Sequence, residues 1–380
     1  MTRVAIIGGG IGGLTAANAL LRAGAEVSVY EAAGELKEIG AGVALHANAM
    51  RVLRFIGVED AVRKVAGRTE YAVTRDGITG RVISRTDRAR FVELQGIEPA
   101  TVHRADLLDV LAAALPEGIA KLGKRCVSVE PGESSAVARF ADGTEAEADV
   151  VIGADGIHSA ARTSLFGPDA PRFTGKICYR SVIPTAAVRG SLSDVAADNG
   201  QWLGPHGTIV LYPLRGQELI NVVAHYDDDT YRHESLLRLF AAGQTWYKWA
   251  LYDRDPIPAW TSGRVTLLGD AAHPMLPYLG QGACQALEDG AVLANALAAA
   301  PADPAGALAA YERTRRPRAS QVVLTARARG VSNHLPSRWA AMRRDAAIAV
   351  RRRLNRRDPD GRGAAWLTDY DATSPSVLAR

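Results

Sequence analysis

The chain has few cysteines, few aromatic residues and no long apolar run. Cys126, Cys178 and Cys284 are widely separated and form no C-x-x-C pair, which argues against a disulfide framework or a metal site and predicts a reducing, cytoplasmic location. Polar and charged residues interrupt the alanine-rich stretch from Ala283 to Ala300, so no membrane partner is expected. The first strand begins almost at Met1, which leaves no room for a signal peptide.

Neither sign of charge dominates the composition. The sequence contains 45 Lys and Arg against 41 Asp and Glu, a formal net charge of +4. The excess lies late in the chain rather than along one groove, so nucleic acid is not an expected partner. With 380 residues and 47% apolar side chains, the chain can bury two cores, and two domains are the prior expectation.

The first thirty-one residues predict a strand, a glycine turn and a helix. Gly8, Gly10 and Gly13, with Ile11 and Gly12 between them, satisfy the G-x-G-x-x-G spacing after the apolar run Val4–Ile7. This spacing permits a tight turn, close approach of the backbone to a phosphate, and close packing of the helix on the strand. The helix would direct its free N–H groups at a diphosphate.

A second predicted strand, Glu26–Tyr30, ends at Glu31, 18 residues after Gly13. A carboxylate at this place can accept both hydroxyls of an adenosine ribose and would repel a 2′-phosphate. The sequence contains no second G-x-G-x-x-G motif.

Two later stretches place small residues and an acid after an apolar strand. Val150–Ile152 runs into Gly153-Ala154-Asp155-Gly156, and Val265–Leu268 runs into Gly269-Asp270. Ligands of open α/β sheets bind at the carboxyl ends of the strands. Both acids are therefore expected to face the ligand of the first motif, which must be long, with ADP at one end.

Other segments could approach the same ligand. Gly40–Val43 has the small residues of a loop lying close to a ligand. His46 and Asn48 could line the ligand, although the plainer interpretation is that they belong to a polar loop and a helix cap. Arg104 opens a predicted helix, where the helix dipole does not favour a cation, and this hints at contact with a cofactor phosphate.

The rest of the chain is divided between strands and helices. Residues 71–94 are predicted to be strands, with a hairpin signal at Asp76-Gly77, and 172–260 reads as a second, mostly antiparallel sheet. Helices are predicted from Pro304 to Val331 and from Leu335 to Leu354, followed by a loose tail over 356–363. The arginine-rich second helix is expected to present a solvated face or a subunit contact, so a homodimer remains open.

Together these motifs resemble the FAD-dependent aromatic-ring monooxygenases of the p-hydroxybenzoate hydroxylase type. The run Asp253-Arg254-Asp255-Pro256, Tyr179-Arg180 and Tyr212-Pro213-Leu214-Arg215-Gly216 are similar to the salicylate hydroxylase and 3-hydroxybenzoate 6-hydroxylase branch. The resemblance implies an α/β fold with a Rossmann-like FAD-binding domain of the GR2 type, an inserted mostly antiparallel β-sheet substrate domain and a C-terminal helical segment. The implied bounds are 1–70, 96–171 and 262–334 for the FAD-binding domain, 71–95 and 172–261 for the substrate domain, and 335–380 for the C-terminal helix and tail.

The resemblance also assigns residues to the bound FAD. The glycines would hold the pyrophosphate, Glu31 the adenosine ribose, Arg104 the pyrophosphate or ribityl region, and Asp270 the ribityl chain, while Asp155 belongs to a motif that touches both FAD and the reductant's binding. Pro277 is implied to act beside the isoalloxazine ring. The full implied cofactor set is Gly8, Gly10, Ile11, Gly12, Gly13, Glu31, Ala32, Ala41, Gly42, Val43, Arg104, Asp155, Asp270, Gly280, Gln281, Gly282 and Ala283.

The implied reaction uses NADH or NADPH as a transient co-substrate and O2 as oxidant, and hydroxylates a small salicylate- or hydroxybenzoate-like acid via a flavin C4a-hydroperoxide. Implied substrate contacts are His206, Tyr212 and Tyr278; Tyr212 matches a tyrosine that relatives use beside the substrate, while Arg180 could pair with a substrate carboxylate or bridge a neighbouring acid. Thr208 and Leu211 lie on a strand where relatives often carry a histidine, so a histidine base is not assumed.

Three alternatives stay open. The same chemistry could act on a hydroxypyridine, urate-like or polyketide ring. A NAD-linked dehydrogenase would use only the first strand–helix–strand unit, but it leaves Asp270 and Gly280–Gly282 unexplained. A flavin-holding protein that has lost oxygen transfer would oxidise NADH and release only peroxide.

Overall fold

The computed structural model describes residues 1–36, 41–188, 198–204, 207–226, 234–354 and 365–379. His206, a predicted substrate contact, and the predicted tail 356–363 lie outside these ranges. The strands are β1 (Arg3–Ile7), β2 (Glu26–Tyr30), β3 (Gly42–Leu45), β4 (Tyr71–Asp76), β5 (Val82–Asp87), β6 (Ala100–His103), β7 (Ala120–Lys121), β8 (Cys126–Pro131), β9 (Ala136–Phe140), β10 (Glu145–Ala148), β11 (Val150–Gly153), β12 (Arg172–Pro184), β13 (Asn199–Gly204), β14 (Gly207–Leu214), β15 (Leu219–Tyr226), β16 (Tyr247–Asp253), β17 (Thr261–Ser262) and β18 (Val265–Leu267). The helices are α1 (Ile11–Arg22), α2 (Ala47–Phe55), α3 (Glu59–Val65), α4 (Arg88–Gln95), α5 (Arg104–Ala113), α6 (Ala160–Phe166), α7 (Glu234–Ala242), α8 (Gly282–Ala299), α9 (Pro304–Asn333), α10 (Arg338–Leu354) and α11 (Ala365–Thr368).

A six-stranded sheet with the order β17-β18-β11-β1-β2-β7 forms the first core. Strands β18, β11, β1, β2 and β7 run parallel, and only β17 pairs antiparallel. The residues of β11 are buried throughout, as expected for a strand covered on both faces. The carboxyl ends of β1, β11 and β18 therefore meet at one edge, where the three predicted ligand motifs begin.

Small residues bring α1 and α8 into close contact beside this sheet. A Cβ atom on Gly290 of α8 would lie 3.0 Å from the backbone nitrogen of Ala16 in α1. Thirteen of the eighteen residues of α8 are buried, which is why its sequence is rich in alanine without being a membrane span. No helix among the described residues is long and apolar enough to cross a membrane.

A seven-stranded sheet, ordered β16-β12-β15-β14-β13-β4-β5, forms a second layer with its own core. Its pairings are antiparallel except for β13 with β4. Trp202, Ile209 and Val222 are buried in this core, which α7 helps to cover through Leu236 and Leu239. β4 pairs with β13, which begins more than a hundred residues after β5 ends.

The prediction of strands throughout 71–94 is wrong at its end, because residues 88–95 form α4. The carboxylate of Asp87 accepts a hydrogen bond from the backbone N–H of Ala89 at 2.8 Å, which caps the helix start. Gly96 ends the helix with a φ of 70°, in the left-handed region that glycine favours.

The C-terminal part returns to the first core. The long helix predicted from Pro304 is confirmed and ends at Asn333, while the next helix begins at Arg338 rather than Leu335. Leu367 is buried, and Arg51 and Arg318 each donate a 2.7 Å hydrogen bond to a backbone carbonyl of α11. These contacts hold α11 against α2 and α9.

Candidate active site

A cavity of about 520 Å³ runs between the carboxyl edge of the parallel sheet and the seven-stranded sheet. Fourteen of the predicted site residues line it, and they come from six separate stretches of the chain. They are Gly10, Ile11, Gly12, Gly42, Val43, Arg104, Tyr212, Asp270, Pro277, Tyr278, Gly280, Gln281, Gly282 and Ala283. The predicted residues Gly8, Gly13, Glu31, Ala32, Ala41 and Asp155 are not part of the lining.

The first glycine turn, residues 8–13, uses its glycines in two different ways. Gly8 has a φ of 109°, and a Cβ on Gly13 would lie 2.0 Å from the carbonyl oxygen of Gly8, so both are needed by the protein's own backbone. A Cβ on Gly10 would meet no protein atom within 4 Å. The open space at Gly10 and the absence of a side-chain cap on α1 leave a cradle that fits a diphosphate.

Glu31 and Asp155 organise loops next to the cavity. The Glu31 carboxylate accepts hydrogen bonds from the backbone N–H of Gly9 at 2.6 Å and of Ala33 at 2.8 Å. Asp155 accepts from the Ser159 hydroxyl at 2.5 Å, and burial raises the pKa of its carboxyl group. Their assignment to the ribose and to the reductant stays a prediction.

The second glycine turn, residues 277–283, forms the opposite side of the cofactor region. Residues 277–279 make a short 3-10 turn, and Gly280 follows with a φ of 62°. Helix α8 then begins at Gly282 without a side-chain cap, so its first N–H groups suit a group that carries negative charge.

Gly42 joins this cofactor region to the seven-stranded sheet. Its N–H donates a 2.7 Å hydrogen bond to the side chain of Asn221. A Cβ on Gly42 would lie 2.4 Å from the Tyr212 ring, so Tyr212 packs directly on the backbone of β3. Burial raises the pKa of the Tyr212 hydroxyl, which therefore stays protonated at neutral pH.

His46, His225 and Arg88 also line the cavity. His46 is half-buried and was named above as a residue that could line the ligand, whereas His225 and Arg88 were not predicted. His225 is 4% exposed, and burial with the nearby charge of Arg180 lowers its pKa to about 3. Burial and the charge of Arg88 lower the pKa of His46 to about 4. Both imidazoles are neutral near pH 7, and their pKa shifts depend on burial that the sequence alone does not reveal.

His46 corrects the plainer sequence interpretation, because it precedes α2 without making a side-chain cap. Thr208 and Leu211 are buried and are absent from the cavity lining.

The ring centre of His225 lies 5.1 Å from that of Tyr278. The alternation of side chains along β15 could have predicted that His225 and Val223 lie on the same face of the strand. It could not have predicted that this face lines the cavity.

The fold and the site define a flavoprotein: a parallel sheet with a dinucleotide turn, a second glycine turn across one cavity, and a separate sheet that closes the cavity. A family described as FAD binding domain matches residues 1–235 and 239–326. The chain belongs to this family and is a FAD-dependent monooxygenase.

Curated relatives and solved structures agree with this assignment. The chain is 39% identical to the 3-amino-4-hydroxybenzoate 2-monooxygenase PtnB3 of Streptomyces platensis, over 97% of this chain and 96% of the relative. It is 37% identical to the 6-hydroxynicotinate 3-monooxygenase of Pseudomonas fluorescens, over 84% and 89%. A salicylate hydroxylase substrate complex superposes with a TM-score of 0.82 at 29% identity, covering 100% of this chain and 98% of that one.

The residues present fit FAD. The cradle at Gly10 and the start of α1 would hold the pyrophosphate, and Asp270 and the second glycine turn would lie along the remainder of the cofactor. When bound, FAD is reduced by NAD(P)H and supplies the chemistry that transfers oxygen from O2. The protein orients the aromatic ring and excludes water.

Proposed function

We propose that this monooxygenase hydroxylates a small aromatic acid that carries a ring hydroxyl, of the amino- or hydroxybenzoate type. The proposal rests on one observation: Arg180, Tyr212 and His225 gather in the same cavity as the second glycine turn. A cation, a phenol and a neutral imidazole match a ring with one carboxylate and one hydroxyl. Relatives named for 3-amino-4-hydroxybenzoate, 3-hydroxybenzoate and salicylate act on rings of that chemistry.

Arg180 is the residue for the substrate carboxylate. Its Nε atom is buried without a hydrogen-bond partner in the described part of the chain. Its guanidinium lies beside the thiol of Cys178 and forms no ion pair with an acid within the described ranges. The second interpretation of Arg180, a bridge to a neighbouring acid, is therefore not favoured. A carboxylate would satisfy the free donor and the charge together.

His225 and Tyr212 are the residues for the ring hydroxyl. The buried Nδ1 of His225 has no hydrogen-bond partner within the described ranges, and a neutral imidazole offers one donor and one acceptor. Tyr212 is 6% exposed and keeps its proton. His225 can accept a hydrogen bond from the phenol O–H, and the hydroxyl of Tyr212 can donate one to the phenol oxygen.

The test measures oxidation of NADH and NADPH by FAD-loaded protein, with product mass and peroxide followed together. The panel contains 3-amino-4-hydroxybenzoate, 3-hydroxybenzoate, salicylate, 6-hydroxynicotinate and urate. We expect one benzoate to accelerate oxidation and gain one oxygen atom. Acceleration by urate or hydroxynicotinate alone would contradict the substrate class, and peroxide without product from every ring would support a protein that has lost oxygen transfer.

We also place the enzyme in the cytoplasm with a small aromatic substrate and O2 as its partners. The three cysteines are free, and two of them are buried, which suits a reducing compartment. A homodimer is supported by the apolar side chains that α10 exposes, with Trp339 at 76% and Leu354 at 82% exposure. Light scattering of the purified holoprotein tests this assembly, and a monomeric mass would contradict it.

A further inference from the structure

The side chain of Gln281 fixes the middle of the second glycine turn. Gln281 is 1% exposed, and its Oε1 atom accepts hydrogen bonds from Asn48 Nδ2 at 3.0 Å and from Gln285 Nε2 at 3.1 Å. Its backbone carbonyl accepts the first hydrogen bond of α8, from the N–H of Gln285 at 2.8 Å. The orientation of the peptide groups in the turn is thus coupled to a buried amide on α2.

Asn48 links this turn to a buried carboxylate. The same Nδ2 group donates to Glu288 Oε1 at 2.6 Å. Glu288 is fully buried and also accepts hydrogen bonds from Arg315 and Arg318 on α9. A buried carboxylate with this many fixed donors cannot move without leaving charges unpaired, so it is a rigid anchor for Asn48.

The next residue of α8 anchors the third ligand motif in the same way. Asp289 accepts from the backbone N–H of Gly269 at 3.0 Å and from Arg315 at 2.8 Å, and lies 2.6 Å from the ring nitrogen of His273. Gly269 precedes Asp270, which lines the cavity. Glu288 and Asp289, adjacent on α8, therefore connect the second glycine turn and the Gly269-Asp270 motif to the same residue, Arg315.

We propose that Asn48 and Glu288 are positioning residues that set the environment of the flavin ring through Gln281. Neither residue lines the cavity, so neither contacts the cofactor directly, and the hydrogen bond from Asn48 to Gln281 connects them to the turn. The N–H groups of residues 280–283 would stabilise the negative charge of reduced FAD more than the oxidised form. Loosening the turn should weaken the binding of reduced FAD selectively.

The test measures the two-electron midpoint potential and the dissociation constant of FAD in the holoprotein carrying Asn48→Leu. Leucine keeps the branched shape of the amide and removes both hydrogen bonds. We expect reduced FAD to lose about tenfold more affinity than oxidised FAD, which lowers the potential by about 30 mV. Gln281→Leu should give the same shift, and the double variant should add nothing, because both changes cut one connection.

Asn18→Leu is the matched control. Asn18 is a buried amide that donates to Leu14 and Leu111 between α1 and α5, away from the second turn, and its replacement should leave the potential unchanged. A potential equal to that of wild type in Asn48→Leu, with a loss of stability like that of the control, would overturn the proposal. If Asn48→Leu does not fold, an unchanged potential in Gln281→Leu overturns it, and additive shifts in the double variant do so as well.

Discussion

His225 lies directly opposite Thr208 in the antiparallel pairing of β14 with β15. Residues opposite each other in paired strands project from the same face, and Val210 and Tyr212 continue that face into the cavity. The strand on which relatives often carry a histidine has none here, but an imidazole reaches the same face from the neighbouring strand. The sequence alone does not reveal this, because it requires the register of the two strands.

Replacing His225 with phenylalanine should reduce kcat/KM for the hydroxylated substrate about tenfold, the value of one hydrogen bond of about 1.4 kcal/mol. The ring and its packing on Tyr278 are kept. Because the pKa of His225 is about 3, the imidazole is neutral between pH 5 and 9, so the variant should keep the shape of the wild-type pH profile of kcat/KM. Loss of an acidic limb near the ordinary pKa of histidine would show that His225 titrates during turnover.

Arg180→Met should weaken use of a carboxylate substrate and spare its uncharged analogue. Breaking a buried charge pair costs about 2 kcal/mol or more, so kcat/KM for the acid should fall about 30-fold. The corresponding carboxamide should change by less than about threefold. Arg139→Met is the control, because Arg139 pairs with Glu130 and Glu145 on the surface. An equal loss for acid and amide would mean that Arg180 only supports the fold.

Gly10→Ala should weaken FAD binding, whereas Gly13→Ala should destabilise the FAD-free protein. A methyl group on Gly13 collides with the Gly8 carbonyl at 2.0 Å, so the FAD-free protein itself should lose roughly 1–3 kcal/mol of unfolding free energy. A methyl group on Gly10 meets only the space for the cofactor. That variant should keep the stability of the FAD-free protein and bind FAD about tenfold or more weakly, as measured by flavin fluorescence. Unchanged FAD affinity in Gly10→Ala would place the pyrophosphate elsewhere.

The features of the fold and site that could be predicted from the sequence are those set by residues close together in the chain. The glycine turn needs the spacing of Gly8 and Gly13 because the two backbones touch, and that requirement is visible in the residues themselves. The apolar strands before Asp155 and Asp270 are likewise local, and parallel pairing then brings their carboxyl ends together. The FAD family and its monooxygenase chemistry were therefore accessible from the motifs.

The parts that were missed depend on contacts between distant segments. The pattern over residues 88–95 suits a strand as well as a helix, and the cap from Asp87 favours the helix. Leu367 and Thr368 lie in the cavity wall, although the composition of the segment before them predicts only a loose tail. Asn48 was interpreted as a cap or a loop residue, although its partner Glu288 lies 240 positions away. Local patterns carry no information on such pairings.

The two cavity histidines, His46 and His225, should make stability fall as the solution becomes mildly acidic. Their folded pKa values, about 4 for His46 and about 3 for His225, lie below the unfolded value of 6.5. Above pH 6.5 both states are neutral and the stability is fully present; below it the unfolded chain binds protons that the native protein does not, so stability is lost as pH falls toward 4. Each histidine contributes a slope of about 1.4 kcal/mol per pH unit in that window.

Urea unfolding of the FAD-free protein between pH 7 and 4.5 measures this slope, and His46→Asn and His225→Asn should each lower it by about 1.4 kcal/mol per pH unit. Both variants should show the smallest loss of stability relative to wild type at the acidic end, because they remove the penalty of an unprotonated native histidine. A slope that neither substitution changes would mean that the imidazoles take up protons in the native state, and the cavity around them would then have to admit water.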